Sequence, residues 1–202
     1  MEKGTGIIDW VVNTRKEGKR IAVVFRKGCL DGTMAAVMLE SKYSYDDFDF
    51  FSFRKNGSMS DIIDFTPTSA THNVVILDIC PLDLEAFLVK FPDLMLIDHH
   101  IDTLDLMMKA KNACHINNRC VTEYLAGPAN LIYNRLLSVI CGFDTGKREG
   151  TVLPIATEMS RELKTKTSTL DAIVLARTWL TPSADMIQDY LSKGDAILSL
   201  PK

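Results

Sequence analysis

Three aspartates, Asp31, Asp78 and Asp98, each follow or close a short apolar run, and His99 and His100 follow Asp98 directly. One such aspartate is an ordinary turn or cap residue. Three of them with two adjacent imidazoles make a set of oxygen and nitrogen ligands. That mixture suits a divalent ion such as Mn²⁺ or Mg²⁺ better than a structural zinc. Arg26 and Lys27 stand just before Asp31. Neither binds a metal while charged, but both can neutralise a phosphate oxygen.

Such residues act together only if the fold gathers them. Residues 21–25 (IAVVF) are apolar, rich in β-branched types and bounded by charge, which suits a buried parallel strand. Residues 48–53, 73–77 and 93–97 read as further strands, the last two closing on Asp78 and Asp98. Residues 33–42 and 81–90 read as helices between them, the second with Pro81 in its first turn. Strand and helix in alternation predict an α/β fold with a doubly wound parallel sheet. In such a sheet ligands bind at the carboxyl ends of the strands, which puts the three aspartates on one edge. Residues 125–141 are apolar at helical spacing, 142–150 read as a Gly-rich charged loop, and 152–164, 170–179 and 183–200 as helices. The expected division is an α/β domain over 1–145 and a small helical C-terminal extension or cap over 146–202. His72 reads as a surface turn residue. A short strand through ACHIN would bring His115 near the site; a hydrogen-bonded histidine of no further role is the alternative.

The 202 residues carry 23 Lys plus Arg against 26 Asp plus Glu, a formal net charge of -3, with 47% hydrophobic residues. This balance excludes a disordered chain and lacks the basic field of a dedicated nucleic-acid binder. The five cysteines are odd in number and none has CxxC spacing, so reduced thiols are expected rather than a disulfide framework. Residues 1–20 read as a short amphipathic helix, with no secretory signal. Glu2, Asp9 and Glu17 argue against a mitochondrial presequence. The expectation is an intracellular, most simply cytoplasmic, protein with no membrane partner; an organelle stays open.

The motifs carry a family resemblance. LMLIDHH (94–100) is similar to the signature of the DHH phosphoesterase superfamily. VVFRKGCLDGTMAAVML (23–39) resembles the first motif, in the branch that reads His-x-x-Cys-x-Asp-Gly. VVILDICPLDLEAF (74–87) resembles the second, and LAGPANLIYNRL (125–136) the helix that follows the triplet. The match spans residues 21–137.

This resemblance implies hydrolysis of phosphodiesters or phosphoanhydrides with two metals, usually manganese. It implies that Asp78 bridges the ions, with Asp31 and His99 completing the second site. His100 would face the scissile phosphate, and Asp98 would orient a neighbouring histidine. A further acid is implied after the helical segment, with Asp144 in GFDTG and Glu158 as alternatives. Arg119 and the two asparagines before it correspond to residues near the substrate. The chain departs from the pattern at Arg26, which takes the place of the first-motif histidine. Cys29 is either a thiolate ligand or a small buried thiol. One metal site therefore reads as intact and the other as depleted, so one or two ions are expected, with Arg26 and Lys27 standing in for a missing cation.

The function so implied is a metal-dependent phosphoesterase acting on a small nucleotide, a short oligonucleotide or polyphosphate. His100, Asp98 and Arg26 are the expected catalytic residues; Arg26, Lys27 and Arg119 the substrate contacts; Asp31, Asp78, His99 and Asp144 the metal ligands. The alternative is a degenerate relative serving as a binding or assembly module, as a homodimer or in a larger complex.

Overall fold

The computed structural model describes residues 2–3, 6–43, 47–54, 57–62, 64–127, 134–146 and 150–198. Its sheet contains β1 (Glu2–Lys3), β2 (Arg20–Arg26), β3 (Phe48–Phe53), β4 (His72–Leu77), β5 (Met95–Asp98) and β6 (Asn112–His115). The order is β1-β6-β5-β4-β2-β3. Strands β2 to β6 run parallel, and β1 lies antiparallel on the β6 edge.

Both faces of this sheet are covered, which is why its strands read as continuous apolar runs rather than alternating ones. Ile21, Val23 and Phe25 of β2 enter one core with α1 (Ile7–Lys16) and α2 (Leu30–Tyr43). Ala22 and Val24 enter another, against Leu84 and Phe87 of α3 (Leu84–Lys90) and Met107 of α4 (Leu104–Met107). The architecture is the doubly wound α/β fold that the alternation predicts. The chain steps from β2 out to β3, then crosses back to β4 on the other side of β2. That reversal makes a crevice at the carboxyl ends of β2 and β4.

The described helices after the last strand are α5 (Val121–Ala126), α6 (Arg135–Asp144), α7 (Val152–Thr165), α8 (Thr169–Thr178) and α9 (Ala184–Leu198). Their apolar residues, among them Leu137, Ile155, Met159, Leu163 and Ile173, continue the core under α2. Asn134 caps α6 by accepting the Leu136 and Leu137 amides, and its Nδ2 donates to the carbonyls of Trp179 and Leu180. Gly194 of α9 meets the Pro154 carbonyl so closely that any side chain there would collide with it.

Several boundaries differ from those the sequence pattern predicts. Helix α2 begins at Leu30, so Asp31 sits in its first turn, where a carboxylate is favoured by the helix dipole. Helix α3 begins at Leu84 rather than Pro81; Asp83 before it accepts the Met59 amide instead. The apolar stretch 125–141 is interrupted: α5 stops at Gly127, whose φ of 75° leaves the helical region, and α6 starts afresh at Arg135. Residues 128–133, half of the LAGPANLIYNRL motif, lie outside the described residues. Helix α6 runs on through Gly142 to Asp144, where the sequence reads as a loop. A helical glycine costs about 1 kcal/mol, and the burial of Val139, Ile140 and Cys141 beside it outweighs that. His72 opens β4 and bonds to Asp49 rather than sitting in a free turn.

Candidate metal centre

Asp31 is 1% exposed. Its two carboxylate oxygens accept the amides of Val121 and Thr122 at 2.8 Å each, and the Thr122 hydroxyl donates to its carbonyl. The first turn of α2 is thus pinned to the first turn of α5. Asp78 follows β4 with φ 59°, in the left-handed region that a non-glycine residue avoids. Strain of this kind collects at functional sites, where surrounding structure holds it. Here the Asp78 amide donates to the Ile97 carbonyl, and the Cys29 thiol donates to Asp78 Oδ2 at 2.8 Å. Gly32 makes this approach feasible: a Cβ there would lie 3.2 Å from Asp78 Oδ2 and 3.3 Å from its Cβ.

His99 completes the cluster. Its Nε2 lies 3.2 Å from Asp78 Oδ1 and 3.2 Å from Oδ2 of Asp144, the last residue of α6. Asp31, Asp78, His99 and Asp144 each offer a ligand atom, all within 4.8 Å of one another. A second set, Asp78, Asp98, His99 and His100, also has ligand atoms within 4.8 Å of one another and shares two members with the first. Glu158, the alternative to Asp144 as the further acid, is buried on α7 and spent on a bidentate pair with Arg161 at 2.6 and 2.7 Å.

The electrostatics of the cluster are those of like charges forced together. Burial, with Asp31 adding to it, pushes Asp78 up to about 7. Burial and then Asp31 push Asp144 up to about 6. The Asp78 carboxylate at its Nε2 raises His99 to about 9. Asp78 Oδ1, His99 Nε2 and Asp144 Oδ2 are buried without an aligned hydrogen bond. Unpartnered buried carboxylates cost several kcal/mol unless something neutralises them. A donor set of carboxylate oxygens and one imidazole, with its free atoms facing each other, fits a divalent cation. These buried Asp and His groups could hold one.

Asp98 does different work. Burial pushes it up, but bonds from His100 Nδ1 at 2.7 Å, the Thr103 hydroxyl at 2.9 Å and the His99 amide at 2.8 Å together hold it below the usual carboxylate range. In return Asp98 raises His100. The pair fixes the His100 proton on Nδ1 and leaves Nε2 as the ring atom not engaged with Asp98. His115 pairs in register with Asp98, and its Nε2 lies 3.3 Å from the His100 carbonyl oxygen. It is buried and supports the loop that carries both histidines. The signal for it is its place at the end of a short apolar run, as with Asp78 and Asp98.

A cavity of about 280 Å³ adjoins the cluster between the β2–α2 loop and helices α6 and α7. Arg26, Lys27, Asp31 and Asp144 line it. Ser160 and Lys164 of α7 line it too, and neither stands out in the sequence. Arg119 lies apart from this cavity, exposed, with its guanidinium 6.0 Å from the Tyr124 ring centre. A larger cavity, about 430 Å³, sits at the amino ends of the strands against α1. Its polar groups already bond one another: Asn73 donates to Thr14, and Trp10 and Asn112 donate to the Asp93 carbonyl. The smaller cavity is the one that adjoins the acidic cluster.

No protein-family model matches the chain, and no curated protein matches it significantly. Among solved structures it is similar to an uncharacterized protein from Helicobacter pylori G27, with TM-score 0.59 and 12% identity, over 89% of this chain and 62% of that one. At this identity the likeness is one of fold. The chain spans under two thirds of that neighbour's length. Fold and site together define a doubly wound α/β protein with a buried Asp/His cluster suited to a cation. Among the described residues, no helix is long and apolar enough to cross a membrane.

Proposed function

We propose that the chain is a metal-dependent phosphoesterase of the DHH type, using Mn²⁺ or Mg²⁺ to hydrolyse a small phosphorylated substrate. The observation that carries this reading is the convergence of the buried Asp31 and Asp78 and the half-buried Asp144 on His99 at the switch point, where Asp78 Oδ1, Asp144 Oδ2 and His99 Nε2 face one another without an aligned hydrogen bond. The motifs that resemble that superfamily support it independently. Asp31, Asp78, His99 and Asp144 would hold the ion, with the Asp98–His100 pair beside it on the substrate side. A divalent ion held there supplies Lewis-acid chemistry, polarising a water and neutralising charge on phosphate oxygens.

The side chains supply the rest. Hydrolysis forms a P–O bond to water and breaks the P–O bond to the leaving group, whose oxygen must take up a proton. Asp98 keeps the His100 Nδ1 proton in place and favours the charged ring, so Nε2 can pass a proton to the leaving oxygen. Arg26, exposed at the end of β2, offers a guanidinium to a phosphate oxygen. The test is elemental analysis of the purified chain together with hydrolysis of bis-p-nitrophenyl phosphate. We expect bound metal and Mn²⁺-dependent turnover, with both lost in Asp78→Ala and His99→Ala. Turnover no higher than the metal-free blank would count against an enzyme. A second reading, a phosphate-binding module without turnover, is favoured by one feature: Arg26 stands where the family motif has histidine.

A further inference from the structure

We propose that α7 carries an anion seat for this site: Lys164, with Arg26, holds a phosphate next to the one attacked. The preferred ligand is then a compact one with two adjacent phosphates, a phosphoanhydride, rather than an internal diester of a long chain. The inference rests on the reading of the acidic cluster as a phosphoesterase centre.

Charges of both signs share the 280 Å³ cavity. Asp31 and Asp144 reach it from the cluster; Arg26, Lys27 and Lys164 line it as well. The three cations are not equivalent. Lys27 is already committed, since its Nζ donates to the Thr167 carbonyl at 2.9 Å and ties the β2–α2 loop to the segment between α7 and α8. Among the described residues, the Arg26 and Lys164 side chains pair with no acid. The Lys164 stem lies against the loop at Gly28, its Cγ 3.4 Å from where a Cβ would sit, an ordinary van der Waals distance. Gly28 has φ 75°, a loop shape that favours glycine. Ser160 lies one turn before Lys164 and adds a hydroxyl to the same wall.

A diester inside a chain brings one negative charge and a bulky group on each side. A phosphoanhydride brings further charge within one bridging oxygen of the attacked phosphorus. Cations beside a metal centre match the second pattern. The cavity lies at the small end of ligand pockets, which run from about 300 Å³ upward, so it favours a compact ligand.

The test uses the full chain in excess Mg²⁺ and two non-hydrolysable probes, methylenediphosphonate and methylphosphonate, titrated by calorimetry. Metal content and thermal unfolding are checked for every variant. We expect Lys164→Ala to lower the ratio of the two affinities at least tenfold, and Lys164→Arg to keep it within threefold. An unchanged ratio in Lys164→Ala, with metal retained, overturns the proposal. Wild-type hydrolysis of bis-p-nitrophenyl phosphate and of inorganic pyrophosphate is scored separately, and turnover of either counts. A Lys164 effect without turnover removes the enzyme reading and keeps the seat; turnover without a Lys164 effect does the reverse.

Discussion

The two ends of one sheet treat aspartate in opposite ways. At the amino ends, Asp49 receives Arg20 Nε at 2.6 Å, Arg20 Nη2 at 2.8 Å and His72 Nε2 at 2.9 Å. The Arg20 bond, helped by His72, holds Asp49 below the usual carboxylate range. Lys19 pairs with Glu17 there at 2.9 Å. At the carboxyl ends, Asp78 faces Asp31 and Asp144 as well as His99 and is pushed up to about 7. One end has its charges matched by the chain itself. The other has a surplus of negative charge that the chain leaves unmatched, and a left-handed aspartate on top of it. Where local rules are broken together in this way, a functional site is the expected reason. The contrast separates a stabilising ion pair from a binding site more sharply than burial alone does.

The largest effect should come from removing one charge at each end. Asp78→Asn should weaken Mn²⁺ binding by at least a hundredfold, about 2.7 kcal/mol, while the metal-free protein melts at a higher temperature than wild type. Asp49→Ala should do the opposite: metal uptake as in wild type, and stability lower by about 1 kcal/mol, the scale of a partly exposed ion pair. Calorimetric titration and metal-free melts measure both. A metal-free Asp78→Asn protein that melts lower than wild type would erase the contrast.

Acidity sharpens the same comparison. Asp78 rises from 3.8 to about 7 and Asp144 from 3.8 to about 6 on folding. The folded metal-free chain then keeps protons that the unfolded chain has released, so stability falls as pH rises from about 4 to 7. His99, raised from 6.5 to about 9, extends that fall toward pH 9. Asp49 has the other sign: its contribution is present above the ordinary carboxylate range and is lost as pH falls through its lowered value. Metal binding must displace the retained protons, so it should tighten with rising pH and release protons up to about pH 9, from Asp144 below about 6, Asp78 below about 7 and His99 below about 9. Titration in buffers of different ionisation enthalpy reads that release; a proton count of zero would contradict it.

The smallest effects concern glycines at the two ends. Gly32→Ala places a Cβ 3.2 Å from Asp78 Oδ2, so the carboxylate must shift by a few tenths of an ångström. Metal affinity should drop several-fold, with stability changed by about 1 kcal/mol or less because alanine favours the helix. Gly18→Ala at the amino end meets no neighbour but has φ 68°. It should cost about 1 kcal/mol and leave metal binding untouched.

Much of the fold and of the acidic cluster is legible in the residues alone. Strands buried on both faces must be apolar throughout, so 21–25 and 73–77 stand out by composition, and Asp78 and Asp98 mark where the apolar runs stop. Parallel strands put such stops on one edge, which is enough to gather Asp31, Asp78, Asp98 and the two histidines. Local pattern does not choose between Asp144 and Glu158, because both follow an apolar helical stretch. Packing makes that choice: α6 continues past Gly142 far enough to bring Asp144 to His99, while Glu158 is held by Arg161 within its own helix.

The residue types and their strand-end positions, then, determined the fold class and most of the acidic cluster, since periodicity and chain direction are local properties. Which fourth acid joins, that His115 stands beside Asp98, and that Lys164 lies against Gly28 beside the site were decided by tertiary structure. Those facts depend on how distant helices settle against one core, and no single segment encodes the distance between two others.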